Sequence, residues 1–483
     1  DFAGDALSSG TFNVALGTFA LSTEDTGGRS TAIGYGTLTN QNYDGSAYNT
    51  AVGYNAGNDI TTGTDNTIIG GLAGDALTTG ALNVAIGKAA LGSEDTGSAN
   101  VAVGHAALMN QNYDGSAYNT AVGHNAGTAV TTGIYNTLLG GQAGDALTTG
   151  ASNEGSKNIA IGKNALRLSN QSGDNHNVAI GHNAGENIST GTVNTLIGGQ
   201  VGAALTQGNS NVAVGYRALT SETKGDRNVA IGLDALYTQN NTSDTDVYNV
   251  AIGYHAGRLV TTGTKNVIVG GLAGDALTTG ERNIAIGYHA LGAEDEDGRN
   301  VAIGYQALKA QDAGVNAYNI AVGYDAGSVI STGSLNSIVG GLSGDALTTG
   351  ERNVAIGYGT LSSEDTGSRS TAVGYFALNA QNNASTNYNT ALGYGAGEDI
   401  SSGVNNTVLG ALAGDAITGG GNNVVIGYNS TVATNGSNQI AIGANVNAVN
   451  GSNGITLGDS NIGYFQCQVQ TITALSDERD KTN

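Results

Sequence analysis

Three acidic clusters carry the residue types best able to do chemistry: Glu94-Asp95, Glu294-Asp295-Glu296-Asp297 and Glu364-Asp365. Paired carboxylates hydrolyse glycosidic bonds, one acting as acid and the other as base or nucleophile. Carboxylate oxygens also suit calcium. Here the clusters stand beside Thr-Gly turn residues, recur at a fixed spacing and have no aromatic sugar platform among their neighbours. The sequence therefore reads them as solvated loops. Calcium is the ion they would take, although Gly-Asp-Ala at Asp75, Asp145, Asp275, Asp345 and Asp415 lacks the dense aspartate spacing of calcium-binding β-rolls. No other cofactor is expected: the glycine-rich segments contain no Gly-x-x-x-x-Gly-Lys-Ser/Thr phosphate cradle.

Other groups read less sharply. His105 and His124 follow a glycine at equivalent places, where other copies put Tyr35, Tyr54, Tyr288, Tyr305 or Tyr324. Two imidazoles can hold a metal, but a column that accepts Tyr or His equally is expected to be a half-exposed stacking ladder. The segments Gln41-Asn42-Tyr43-Asp44-Gly45 and Gln111-Asn112-Tyr113-Asp114-Gly115 are candidate receptor-contact loops, with Tyr43, Asp44, Tyr113 and Asp114 suited to a sugar. Cys467 is the one cysteine, expected as a buried thiol; an intrachain disulfide is excluded.

All of these sit on a repeat. The pattern is Asn-x-Ala-h-Gly-x-x-Ala, with h an aliphatic residue, as in Asn83-Val84-Ala85-Ile86-Gly87-Lys88-Ala89-Ala90. It starts near residues 13, 30, 49, 66, 83, 100, 119 and 136, continues through 423 and 438, and has a degenerate copy from Asn453. Ser30 and Ser370 stand where the other copies have Asn. Most steps are 17 residues, as from Asn83 to Asn100, and every fourth is longer, as from Asn100 to Asn119. One copy in each four carries Gly-Gly, at Gly70-Gly71, Gly140-Gly141, Gly198-Gly199, Gly270-Gly271 and Gly340-Gly341. Between Gly141 and Gly199 a whole copy is missing, which a fold tolerates only if each copy touches mainly its neighbours.

The h-Ala-h core alternates with period two and is rich in β-branched residues, so each copy is expected to supply one short strand. Gly, Asn, Asp, Thr and Ser then turn the chain. The expected fold is all-β: a parallel β-solenoid, or β-roll, of roughly 26 short coils, on the order of 125 Å long at the usual strand spacing. The leading Asn is expected to form an internal ladder from coil to coil. Central Ala fits a narrow interior, and the aliphatic positions beside it leave an apolar stripe that marks an interface. Several rods side by side, most simply a parallel homotrimer, would cover it.

Composition narrows the function classes. Gly is 79 of 483 residues, Pro and Trp are absent, and net charge is −22. Without a basic patch, nucleic acid and anionic membrane surfaces are not expected partners. No apolar run is long enough for membrane insertion as a helix. The sequence opens Asp1-Phe2-Ala3-Gly4-Asp5-Ala6-Leu7, matching Leu72-Ala73-Gly74-Asp75-Ala76-Leu77, and so reads as starting inside a repeat, as a fragment or processed product would.

The Asn-x-Ala-Ile-Gly copies resemble the head repeats of trimeric autotransporter adhesins, which form left-handed parallel β-rolls in a trimer. They look still more like long repeat arrays in fibre proteins of tailed phages. The resemblance covers about residues 1–460. The segment Ser476-Asp477-Glu478-Arg479-Asp480-Lys481-Thr482-Asn483 is similar to the opening of the intramolecular chaperone of endosialidase, with Asp480 where Leu is usual. That family assembles a trimer and then cuts itself off between Ser and Asp. The resemblance implies Ser476 as nucleophile toward the Ser476-Asp477 bond and Lys481 as its assistant. The chain is thus expected as a repeat shaft over 1–460, a connecting strand over 461–475 and the start of a chaperone over 476–483. The implied function is a non-enzymatic fibre shaft of a phage virion, extracellular, joined to virion tail or capsid proteins and supporting attachment to a host-surface glycan or protein. The alternatives are a bacterial surface adhesin head and, more remotely, a polysaccharide-degrading tail spike.

Overall fold

A computed structural model describes residues 2–147, 156–169, 173–296, 298–448 and 451–462. The chain divides into two units, Asp1–Ser334 and Leu335–Asn483. Each is a parallel β-solenoid, and the turns number about 25, with a repeat of about 17 residues.

In the first unit the coil strands run from Val14–Leu16 to Ile320–Val322, three residues each. Successive strands pair in parallel without slipping: Val84 faces Val101, Ala85 faces Ala102 and Ile86 faces Val103. Coil length does not alter this. Thr137 pairs with Ile159 as squarely as Val84 does with Val101, the extra residues being absorbed in the turn. A one-residue slip would turn every outer side chain inward. In the second unit, strands from Ser337–Val339 to Ile455–Leu457 repeat the arrangement.

The middle residue of each strand points inward. Ala85, Ala102 and Ala285 are fully buried. The interior is not uniformly narrow, however. In Gly-Gly coils the middle residue is large, as Ile68, Leu138, Leu196 and Ile268, and it too is buried. Its room comes from a glycine on the facing wall: a Cβ on Gly185 would lie 2.8 Å from Leu196 Cδ1, and one on Gly257 2.8 Å from Ile268 Cδ1. Gly185 and Gly257 belong to the coil before, opposite Ala179 and Ala251. The large side chain reaches into that space as well as, in the case of Leu196, toward its own Gly202 (3.1 Å). The remaining coils of the first unit hold Leu there, as Leu91 and Leu108, opposite Ala85 and Ala102. Volume is exchanged across the coil so that packing density is kept.

The expected asparagine ladder is present. Asn83 N–H donates to Asn66 Oδ1 (2.9 Å), and Asn83 Nδ2 donates to Gly97 O (2.9 Å). Asn353 repeats both bonds with Asn336 and Gly367 in the second unit. In these copies the buried amide thus satisfies backbone groups of the turn and of the next coil, although Asn100 Nδ2 and Asn136 Nδ2 find no partner among the described residues. Near its end the ladder departs from the sequence reading: Gln439 N–H, not that of Asn438, bonds Asn423 Oδ1 (2.9 Å), and Gly454 precedes the last strand. The coils here shorten to 16 and then 15 residues, and Ala441 in the strand with Gly443 just after it puts Gln439, not the neighbouring Asn438, at the head of the repeat.

The turns bend through left-handed backbone at non-glycine residues, including Leu82 (φ 60°), Ala89 (φ 55°) and Leu91 (φ 54°). Such a conformation is uncommon for these residue types. Bonds to the adjacent coil hold it, as where Leu91 N–H meets Ala107 O at 3.0 Å.

Candidate functional site

Strand geometry puts the first and third residues of every coil on the outer face. In the first unit the third position is Ile, Val or Leu in every three-residue strand, and the first is Val, Ile or Thr. No charge interrupts either row, in a chain of net charge −22. Ile69 (38%), Ile231 (36%) and Ile252 (38%) are exposed, and most of the other third-position residues are part-exposed. The second unit shows the same aliphatic third position, from Val339 to Leu457.

A column of rings flanks this face, one glycine beyond the third strand residue. Tyr288, Tyr305 and Tyr324 stack with centroids 5.6 and 5.2 Å apart. Tyr35 and Tyr54 stack at 5.6 Å, and His105 on His124 at 5.2 Å. The histidines therefore form part of the stacking ladder expected for them. On the other flank, the residue before the ladder Asn pairs arginine with tyrosine in successive coils. Arg29 lies over Tyr48 at 5.4 Å, Arg227 over Tyr248 at 5.6 Å, and Arg299 over Tyr318 at 5.5 Å, each a cation–π contact.

Asp95 and Asp295 are part-exposed and Glu296 and Asp365 exposed, as solvated loops would have them, but the leading glutamate of each acidic cluster is not. Glu24, Glu94, Glu222, Glu294 and Glu364 are fully buried, not solvated. Each turns into the coil, where backbone and amide donors replace water. Glu24 Oε1 accepts from Gly27 N–H (2.7 Å), and Oε2 accepts from Gln41 Nε2 (3.0 Å). Glu222 accepts from Gly225 N–H, Gln239 Nε2 and Asn241 Nδ2 at 2.8, 2.8 and 3.1 Å. Gln41 and Gln111, read as the starts of exposed loops, are buried partners of this layer. Glu94 is less fully satisfied than Glu222: Gly97 N–H reaches it at 2.8 Å, Tyr113 N–H only at 3.3 Å, while Asn100 Nδ2 and Gln111 Nε2 have no protein partner. Burial pushes the Glu94 carboxyl up to about 7, against the pull of those amides.

A regular signal in the sequence marks this layer: Glu, then Asn or Ser six residues on, then Gln seventeen residues on, at Glu24-Ser30-Gln41, Glu94-Asn100-Gln111 and Glu364-Ser370-Gln381. It also explains two departures from the asparagine ladder. Ser30 Oγ and Ser370 Oγ each accept from the same Gln Nε2 that serves the glutamate, both at 2.9 Å. A second constellation the sequence reading missed is Arg217, Asp234 and His255, at one position of successive coils. Arg217 grips nearly buried Asp234 with two bonds of 2.9 and 2.7 Å, and His255 Nε2 lies 3.5 Å from the same carboxylate.

The candidate contact loops lie on the long coils directly above buried glutamates. Asp44 and Asp114 are exposed, and Tyr43 and Tyr113 half-exposed. Tyr43 N–H is tied to Glu24 Oε2 (3.3 Å), and Asp44 Oδ1 accepts from Thr26 Oγ1 (2.9 Å); Asp114 and Thr96 repeat the latter at 3.2 Å. Among the described residues one group has carboxylate oxygens close enough to share an ion: Glu294, Asp295 and Asp312, within 4.8 Å of one another. Those are hard donors suited to calcium, but three where calcium takes six to eight. The loops therefore offer paired tyrosine and carboxylate to a polar ligand, and the Glu294 group offers a partial cation shell.

Cys467, Ser476, Asp477 and Lys481, with residues 463–475 of the expected connecting strand and the chaperone start, lie outside the described residues. No helix among the described residues is long and apolar enough to cross a membrane. Neither the family models nor the curated proteins compared with this chain give a match.

Proposed function

We propose that the chain is the shaft of a homotrimeric fibre, extracellular and non-enzymatic, which supports attachment of a tailed phage to its host surface. The observation that carries this reading is the uncharged aliphatic face, repeated coil after coil. A stripe of this kind is costly in water and is normally covered. Whatever covers it must match it at every coil, with the same axial step of about 4.8 Å. A second and third copy of the same chain have that step. Sugar contact through Tyr43, Asp44, Tyr113 and Asp114 on the outward loops fits the same picture, as does the resemblance of the repeats to phage fibre arrays and of residues 476–483 to a trimer-assembling chaperone.

Light scattering on the native chain tests the assembly. A mass three times the 48.0 kDa of one chain supports the trimer, and a single-chain mass rejects it.

A further inference from the structure

The two glycines of each Gly-Gly pair have different reasons for being glycine. The first is demanded by the chain itself. Gly70 has φ +131°, and a Cβ there would stand 2.6 Å from the Gly87 carbonyl carbon; Gly270 has φ +135° and would meet Gly287 in the same way. Every coil has this glycine. At Gly71, Gly141 and Gly271 the second is demanded by nothing in the chain, and at Gly199 only the Tyr216 ring stands close. Gly71, Gly141, Gly199 and Gly271 are not in the left-handed region. A Cβ on Gly71 would meet nothing nearer than Tyr54 O at 3.9 Å, and one on Gly141 only His124 O at 4.0 Å. On Gly271 and Gly199 the nearest atoms would be ring carbons of Tyr288 (3.6 Å) and Tyr216 (3.3 Å).

These positions belong to the ring column that borders the aliphatic face. At Gly71 the column breaks after Tyr35 and Tyr54, and at Gly271 it breaks before Tyr288, Tyr305 and Tyr324. A tyrosine at either place would extend a stack, and stacked rings are worth about 0.5–1.5 kcal/mol beyond their burial. A lone chain would gain from filling the gap. Instead the gap is kept at Gly71, Gly141, Gly199 and Gly271, including across the segment where a coil is missing.

We infer that the second glycine of each Gly-Gly pair is a notch that receives a side chain of a second copy of this chain. The inference rests on the side-by-side assembly proposed above and identifies where the copies interlock. The notches fall four, three and four coils apart along the first unit. An occupant that fills each of them must carry projections in that same uneven order. A second copy does: the rings one coil before the notches, Tyr54, His124, His182 and Tyr254, fall four, three and four coils apart as well.

The test compares the full chain with Gly71→Tyr/Gly271→Tyr and with Gly271→Ala, by light scattering over a dilution series, with circular dichroism to verify the β fold. The expected result is an assembled parent, a double variant with unchanged β signal whose midpoint of assembly rises at least about tenfold, and a smaller rise for Gly271→Ala. If the parent assembles and both folded variants assemble at the parent's concentration, the notch is not a contact and the inference is overturned while the trimer stands. If the double variant does not fold, Gly271→Ala decides in the same way, its methyl having room within the chain. A monomeric parent overturns the trimer, and the notch with it.

Discussion

Gln381 Nε2 donates to Glu364 Oε2 across one coil at 2.7 Å, with both side chains fully buried. Asn387 Nδ2 (2.9 Å) and Gly367 N–H (2.7 Å) complete the shell of that carboxylate. Replacing Glu364 with Ala strands Asn387 Nδ2 and Gly367 N–H away from water and leaves Gln381 Nε2 with Ser370 Oγ alone. Each unmet buried donor costs on the order of 1–3 kcal/mol. Glu364→Ala should lower the midpoint of urea unfolding by an amount worth about 3 kcal/mol or more, and Glu364→Gln by less. Equal midpoints for Glu364→Ala and the parent would show that the layer contributes no stability.

Glu94 gives the same layer a pH signature. Its carboxyl sits at about 7 when folded, against an ordinary 4.5, because burial disfavours the charge. Folding therefore favours the protonated form. That contribution is complete below the ordinary value and is lost as pH rises through about 7. Glu94→Gln cannot ionise. Its melting temperature should match the parent's near pH 4.5 and exceed it increasingly up to pH 8. A parent-to-variant difference that stays constant over that range would contradict the assignment.

The exchange of volume across the coil predicts a rescue. Ala85→Leu overfills the interior and should cost roughly 1–3 kcal/mol in thermal or urea unfolding. Adding Leu91→Gly converts the coil to the large-opposite-glycine type seen at Ile68 and Gly74. The double variant should recover part of the loss although Leu91→Gly alone is also destabilising. Strict additivity of the two costs would mean that the facing positions are not coupled.

On the outer face, Ile286→Lys with Ile303→Lys places two charges in the third-position row. Both residues are part-exposed, so an isolated chain should tolerate them with little change in its β signal. Assembly should weaken, because a charge buried at an interface without a partner is unfavourable. Native mass is the readout, and an unchanged mass at micromolar concentration would move the interface to another face.

The sequence disclosed the coil because one residue type repeats at one position. Asn66, Asn83 and Asn353 make the same two bonds in their coils, so period alone points to a ladder. Tyr288, Tyr305 and Tyr324 were legible as a column for the same reason. The glutamates were not. Glu94 and Glu364 sit among Ser, Thr, Asp and Gly, which is how a solvated loop is spelled, and their burial depends on Gln and backbone donors from the following coil. Composition around a residue cannot show which way it turns; the Glu, Asn/Ser, Gln spacing could have. The shift from Asn438 to Gln439 was legible in the register of Ala441 and Gly443, but the adjacent Asn drew the assignment one residue early.

Strand pairing that ignores coil length has a practical side. Coils of 17, 19 and 22 residues all return the chain to the same rung, as the pairings of Val101, Thr120 and Ile159 show. The turn at Asp44 and its equivalent at Asp114 lie four rungs apart within one unit, about 19 Å at the usual strand spacing. Peptides spliced into these two turns would be held at a fixed interval on one side of a common frame. The protein is in this sense a graduated display scaffold, whose marks can be rewritten without moving the scale.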